Sequence, residues 1–138
     1  MPSLVYNSAV RDAATGAIDF DTDTFKMMLV TSTYTASKTH SKRSDITNEV
    51  SGTGYTAGGT AAAATVTIDN VNNRVDVAWS ITSLTTATIT ARAGVIYKSR
   101  GGLASADELV GYVDFGADVT STAGTFAVTV SSPLRFQN

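Results

Sequence analysis

An antiparallel all-β fold, a β-sandwich or jelly-roll-like barrel in a single domain, is what the sequence predicts, and three observations predict it. Period-2 alternation of apolar and polar residues recurs along the 138 residues, with turn residues between the runs. Charged residues make up only 16% of the chain, and the polar remainder is mostly Thr and Ser. Thr is β-branched and stiff at χ1, so it suits pleated surfaces and works against long helices. The apolar runs are short and closely spaced, which excludes βαβ units. A chain of this length makes one domain that buries roughly two-thirds of its unfolded surface.

Residues 1–15 have weak periodicity and are expected to extend as an N-terminal arm from a body at roughly 16–138. Phe25, Met27 and Leu29 alternate with Lys26, Met28 and Val30, so this strand is apolar on both faces and central. Residues 34–52 are polar and form a loop longer than most, with Ser44 and Asp45 placed to cap a short helical turn. Gly52, Gly54, Gly58 and Gly59 around Tyr55 predict an irregular strand connection. Val66 and Ile68 share a face, Asp69 to Asn73 turn the chain, and Val75, Val77 and Trp79 follow on one face. Residues 64–80 are therefore predicted to be a β-hairpin.

Farther along, Ile89, Ala91, Ala93, Val95 and Tyr97 form another alternating face, which Arg100, Gly101 and Gly102 end. Val110, Tyr112 and Asp114 alternate with Leu109, Val113 and Phe115 up to Gly116. Phe126, Val128 and Val130 make the last long strand before Pro133 interrupts pairing. The expected core is Phe25, Leu29, Val66, Ile68, Val77, Trp79, Val95, Val113, Phe126 and Val128.

The chemistry-bearing residues are few. A net charge of −2 with scattered basic residues gives no nucleic-acid footprint. No cysteine is present, so disulfides, thiolate metal ligands and thiol nucleophiles are excluded. The first ten residues lack a signal-peptide pattern, and no apolar run approaches the ~20 residues of a membrane helix. The glycine stretch lacks the Gly-Lys-Ser/Thr and the helix that a phosphate loop needs. Asp19, Asp21 and Asp23 resemble the opening of a calcium loop, but the sixth and twelfth positions are Thr24 and Val30 instead of Gly and Glu. His40, the only histidine, lies in the polar loop without the partners of a nucleophilic triad. The expectation is therefore no enzyme, no catalytic residue, no cofactor and no metal. Lys38, Lys42 and Arg43 form the single basic cluster; with His40 and Tyr55 they are the candidate partner-binding residues.

Residues 18–31 (IDFDTDTFKMMLVT), 44–59 (SDITNEVSGTGYTAGG), 91–98 (ARAGVIYK) and 113–116 (VDFG) resemble, in this order, segments of small β-rich structural proteins of tailed bacteriophages. The stretch 50–59 is the most specific part. The resemblance implies a virion component of the head decoration or cement type, made in the host cytoplasm and located on the capsid surface. Its implied partners are the major capsid protein and further copies of itself, most simply a homotrimer matching threefold positions on the shell. Neither nucleic acid nor membrane is an expected partner. A tail or head–tail connector component, and a receptor- or carbohydrate-binding sandwich using exposed aromatics such as Tyr34 or Tyr55, are the alternatives.

Overall fold

The computed structural model describes residues 3–138, and it is all-β with one short helix. In chain order the elements are β1 (Leu4–Val5), α1 (Asn7–Thr15), β2 (Phe25–Val30), β3 (Thr60–Asp69), β4 (Arg74–Ile81), β5 (Leu84–Lys98), β6 (Leu109–Phe126) and β7 (Leu134–Gln137). Single 3-10 turns at Arg43–Asp45 and Ala104–Ala106 punctuate the long connections. All strand pairs are antiparallel, in the order β1-β6-β5-β2-β3-β4-β7. Strands β2 to β5 lie in the spatial order β5-β2-β3-β4, a Greek key.

Two residues connect β4 to β5, although β3 and β2 separate them in the sheet. Such a short link requires the sheet to fold over on itself. The fold-over lies at the β2–β3 ladder, where only Phe25, Lys26 and Met27 pair, with Ala62, Ala61 and Thr60. One sheet thus supplies two layers, β1-β6-β5-β2 and β3-β4-β7, held at a corner. At this corner the glycine stretch presses on β2: a Cβ on Gly59 would lie 1.8 Å from the Met27 carbonyl oxygen.

Between the layers, Phe25, Met27, Leu29, Ile89, Ile96 and Phe126 form a buried cluster, against which Phe20, Trp79, Val113, Val128 and Leu134 pack. On the other face of β2 and β5 a second cluster gathers Tyr6, Met28, Val30, Tyr34, Val95, Tyr97, Leu109 and Tyr112. Strand β2 is central and buried on both faces, as its double alternation predicted. The hairpin predicted at 64–80 forms over Ala62–Ile81, with Asn73 left-handed at φ 54° and the Asp69 carboxylate accepting from the Val71 and Asn72 N–H groups.

The strand expected over Phe126, Val128 and Val130 does not form: β6 runs on past Gly116 and ends at Phe126, residues 127–133 lie outside any strand, and pairing resumes after Pro133 in β7. Three further expectations are corrected. The N-terminal segment does not reach away from the body. Tyr6 is fully buried, its N–H donates to the Val110 carbonyl, and Asn7 N–H donates to that of Lys38. Helix α1 follows, ends at left-handed Gly16, and buries Ala9 and Asp12. An apolar-to-small face of one helical turn was too short to register as periodicity; Met1 and Pro2 of the expected arm lie outside the described residues. Second, Val66 and Ile68 are on the core side of β3 but are 39% and 69% exposed, because the opposite layer does not reach them. Third, β5 does not present one face to one core. Its register on β6 shifts between Ala91 and Ala93, so Ile89 and Ala91 join the first cluster and Ala93, Val95 and Tyr97 the second.

Candidate functional site

The basic loop comes first, because the sequence put the candidate residues there. It is part of the 29-residue connection between β2 and β3. The Asp45 carboxylate accepts from the Ser41 and Lys42 N–H groups at 2.9 and 3.1 Å, which holds it below the usual carboxylate range and closes the turn at Arg43–Asp45. Arg43 donates from Nε to Asp107 at 2.7 Å, and its guanidinium lies 5.1 Å from the Tyr97 ring centre. Lys42 Nζ is 3.9 Å from Glu108. Arg100 grips both Glu108 oxygens at 2.7 Å, and its N–H donates to Asp107 at 2.9 Å. Asp107 and Glu108 are buried, so these cations satisfy charges that would otherwise be costly. The Arg100 hydrogen bonds, with Lys42 nearby, hold the Glu108 carboxyl below its ordinary value.

His40 and Tyr55 are likewise engaged within the chain. The His40 Nδ1 bonds the Tyr34 hydroxyl at 2.8 Å, and Tyr34 bonds that of Tyr6 at 3.1 Å, a chain that pins the loop to the start of α1. Tyr55 donates to Glu49 at 2.7 Å and accepts from the Leu29 N–H at 3.0 Å; burial pushes its hydroxyl pKa up. Gly58 N–H also donates to Glu49, at 2.7 Å. Neither Tyr34, which is buried, nor Tyr55 presents an open aromatic face for a sugar. Of the five candidate residues only Lys38 is exposed. The structure gathers Lys42 and Arg43 around Asp107 and Glu108, and leaves Tyr55 at the β2–β3 corner.

A different surface lacks an internal partner. The core side of β3, β4 and β7 carries Val66, Ile68, Val75, Val77, Leu134 and Phe136, with Val66 opposite Val77 and Val75 opposite both Ile68 and Phe136. Val77 is buried, but the outer half of this face is uncovered. Helix α1 flanks it with Val10, which is 57% exposed. Together with Ile18, Phe20, Val66, Val75, Val77 and Phe136, Val10 lines a groove of about 670 Å³. Phe20 joins groove to core: its ring lies 5.6 Å from Phe25, 6.1 Å from Trp79 and 6.3 Å from Phe136. A second apolar hollow, bounded by Val5, Ala9, Val10, Leu134 and Phe136, continues it along α1.

On the reverse side of β3, β4 and β7 the charges pair with one another. Arg74 lies 3.2 Å from Asp69 and 3.4 Å from Asp76, and Arg135 binds Asp76 at 2.7 Å. The reverse face thus carries charges that pair with one another, whereas the groove side is apolar and open. The alternation in 66–79 signalled this apolar face, but not that its cover is missing. Asp19, Asp21 and Asp23 lie in a turn, and Asp23 is paired with Lys98 at 2.9 Å. Among the described residues no group of His, Cys, Asp or Glu is arranged to hold a metal, and no helix is long and apolar enough to cross a membrane. No family model matches the chain, and no curated protein or solved structure matches it.

Proposed function

We propose that this chain is a structural protein of a tailed-phage virion, a decoration or cement protein that docks on the major capsid protein and stiffens the head. The observation that carries the reading is the open apolar face of β3, β4 and β7, in a domain whose other polar and charged groups largely satisfy one another. Soluble domains rarely leave a core-continuous apolar patch uncovered unless a partner covers it. The sequence resemblance to virion proteins names the kind of partner. A rigid Greek-key body with two core clusters suits a load-bearing role, and many identical weak contacts on a shell act together.

Copies of the chain meet as a homotrimer on the shell in this reading. Strand β1 covers β6 only at Gly111 and Tyr112, so the outer edge of β6 from Phe115 to Phe126 has no strand partner among the described residues. Unpaired edges invite coverage by a neighbour, and a head-to-tail contact closes without leftover surface only in a ring. The test is an electron-microscopy reconstruction of the phage particle that encodes this chain, with and without its gene. Density for the domain at threefold positions of the head, lost on deletion, is expected. Density at the tail or connector supports that alternative instead, and no density removes the virion reading.

A further inference from the structure

We propose that the groove between α1 and the β3-β4-β7 layer takes a protein segment with large apolar side chains and an adjoining lysine or arginine. The proposal rests on reading this face as a docking face and specifies what docks. Apolar contact comes from Val10, Phe20, Val66, Val75 and Phe136. The charged residues lining the groove are Asp19 and Asp21, both exposed, in the turn before β2. Asp19 accepts the Asp21 N–H at 3.0 Å, and neither carboxylate is in an ion pair with a described residue. Nearby cations are committed elsewhere: Lys98 to Asp23, Arg11 to Asp12, and Arg74 and Arg135 to the reverse face.

An apolar slot lined also by two carboxylates without an ion-pair partner among the described residues is complementary to an apolar segment that carries a cation. A second copy brings two further carboxylates to this face and, among the described residues lining it, no free cation for them. The handful of half-exposed side chains also falls short of the roughly 800 Å² per partner typical of a stable dimer. A short segment needs far less.

Trp79 is the only tryptophan, and ¹⁵N resonances of Phe20, Val66 and Phe136 report the groove directly. The probe is a capped octapeptide with two leucines at alternate positions and two lysines at one end, titrated to millimolar concentration and followed by NMR. Two control peptides replace its lysines by glutamates or its leucines by serines. The lysine peptide is expected to shift groove resonances and to bind about fivefold or more tighter than the glutamate peptide at low salt, with the gap narrowing as salt rises. Asp19→Asn with Asp21→Asn, which keeps the Asp19 acceptor, is expected to bring the two affinities together. Val10→Ser with Val66→Ser is expected to weaken both, with the native spectrum elsewhere retained.

Equal binding of lysine and glutamate peptides by the native protein overturns the proposal, as do shifts that map away from the groove or no binding at all. Sedimentation showing a self-associated form that Phe136→Ser dissolves also overturns it, because the occupant is then a second copy. The reconstruction and the titration fail separately. A chain found on the tail still binds the lysine peptide if the groove reading holds, and a chain found on the head without peptide binding docks by another face.

Discussion

At the scale of single residues, the structure hangs on a few positions where space or charge leaves no alternative. Gly59 has φ +89°, and an added Cβ would overlap the Met27 carbonyl, so Gly59→Ala strains the backbone and separates β2 from β3 at the corner. A destabilisation of about 2 kcal/mol or more in denaturant unfolding is expected, against less than ~0.5 kcal/mol for Gly102→Ala, where nothing lies within 4 Å. The pair between Arg100 and Glu108 predicts a pH effect. Arg100 holds the folded-state pKa of Glu108 below its ordinary 4.5, so the stabilisation is fully present above that value and is lost as pH falls through the depressed folded value. Arg100→Gln is therefore expected to lower the melting temperature at pH 7, with the difference from the native protein shrinking once the pH is well below 4.5. A constant difference down to pH 2 speaks against the pair as the cause.

Among the elements, the β3–β4 hairpin is where alternation and burial part company. Phe25 and Ile68 both belong to apolar alternations, yet Phe25 is 3% exposed beneath Trp79 and Phe20, and Ile68 is mostly in solvent. Phe25→Ala is expected to cost about 3–5 kcal/mol, as for a fully buried aromatic. Ile68→Ala is expected to change stability by less than ~0.5 kcal/mol in the isolated chain. Urea unfolding of the two variants checks both numbers, and a loss above ~2 kcal/mol for Ile68→Ala shows that the hairpin is covered in solution. Helix α1 has the opposite character. Its polar sequence reads as surface, but the segment leading into it inserts Tyr6 among Tyr34, Val95 and Tyr112. Burial drives the Tyr6 and Tyr34 hydroxyls up in pKa, so both stay protonated throughout the ordinary pH range.

For the whole molecule, the consequence is that the N-terminal segment belongs to the body. Deleting residues 1–15 removes β1, α1 and the Tyr6 plug from the second cluster. The truncated chain is expected to melt at least ~10 °C lower, or to fail to fold, since losing one buried aromatic alone costs about 3–5 kcal/mol and each kcal/mol shifts a domain of this size by several degrees. Circular dichroism melting gives the answer; an unchanged midpoint shows that the segment is a dispensable arm. The same deletion strips one wall from the groove by removing Val10, so any loss of partner binding in it must be read together with its stability.

Read alone, the sequence determined the all-β class, the central position of β2, a hairpin at 64–80 turning at Asp69 to Asn73, and the absence of thiol chemistry. Each depends on neighbours within about ten residues, where side-chain alternation and turn geometry act directly. Tertiary structure alone decided what lies opposite each face. Alternation records on which side of a strand a residue points, not whether another layer reaches that far, and so Val77 is buried while Val66, paired across from it, lines an open groove. The basic cluster met the same limit. Arg43 and Lys42 look available in sequence because Asp107 and Glu108 follow more than sixty residues later, and only the fold brings the start of β6 against the loop. Long-range charge pairing and layer overlap are set by where the sheet turns over at the Gly59 corner, a property that no local window of residues contains.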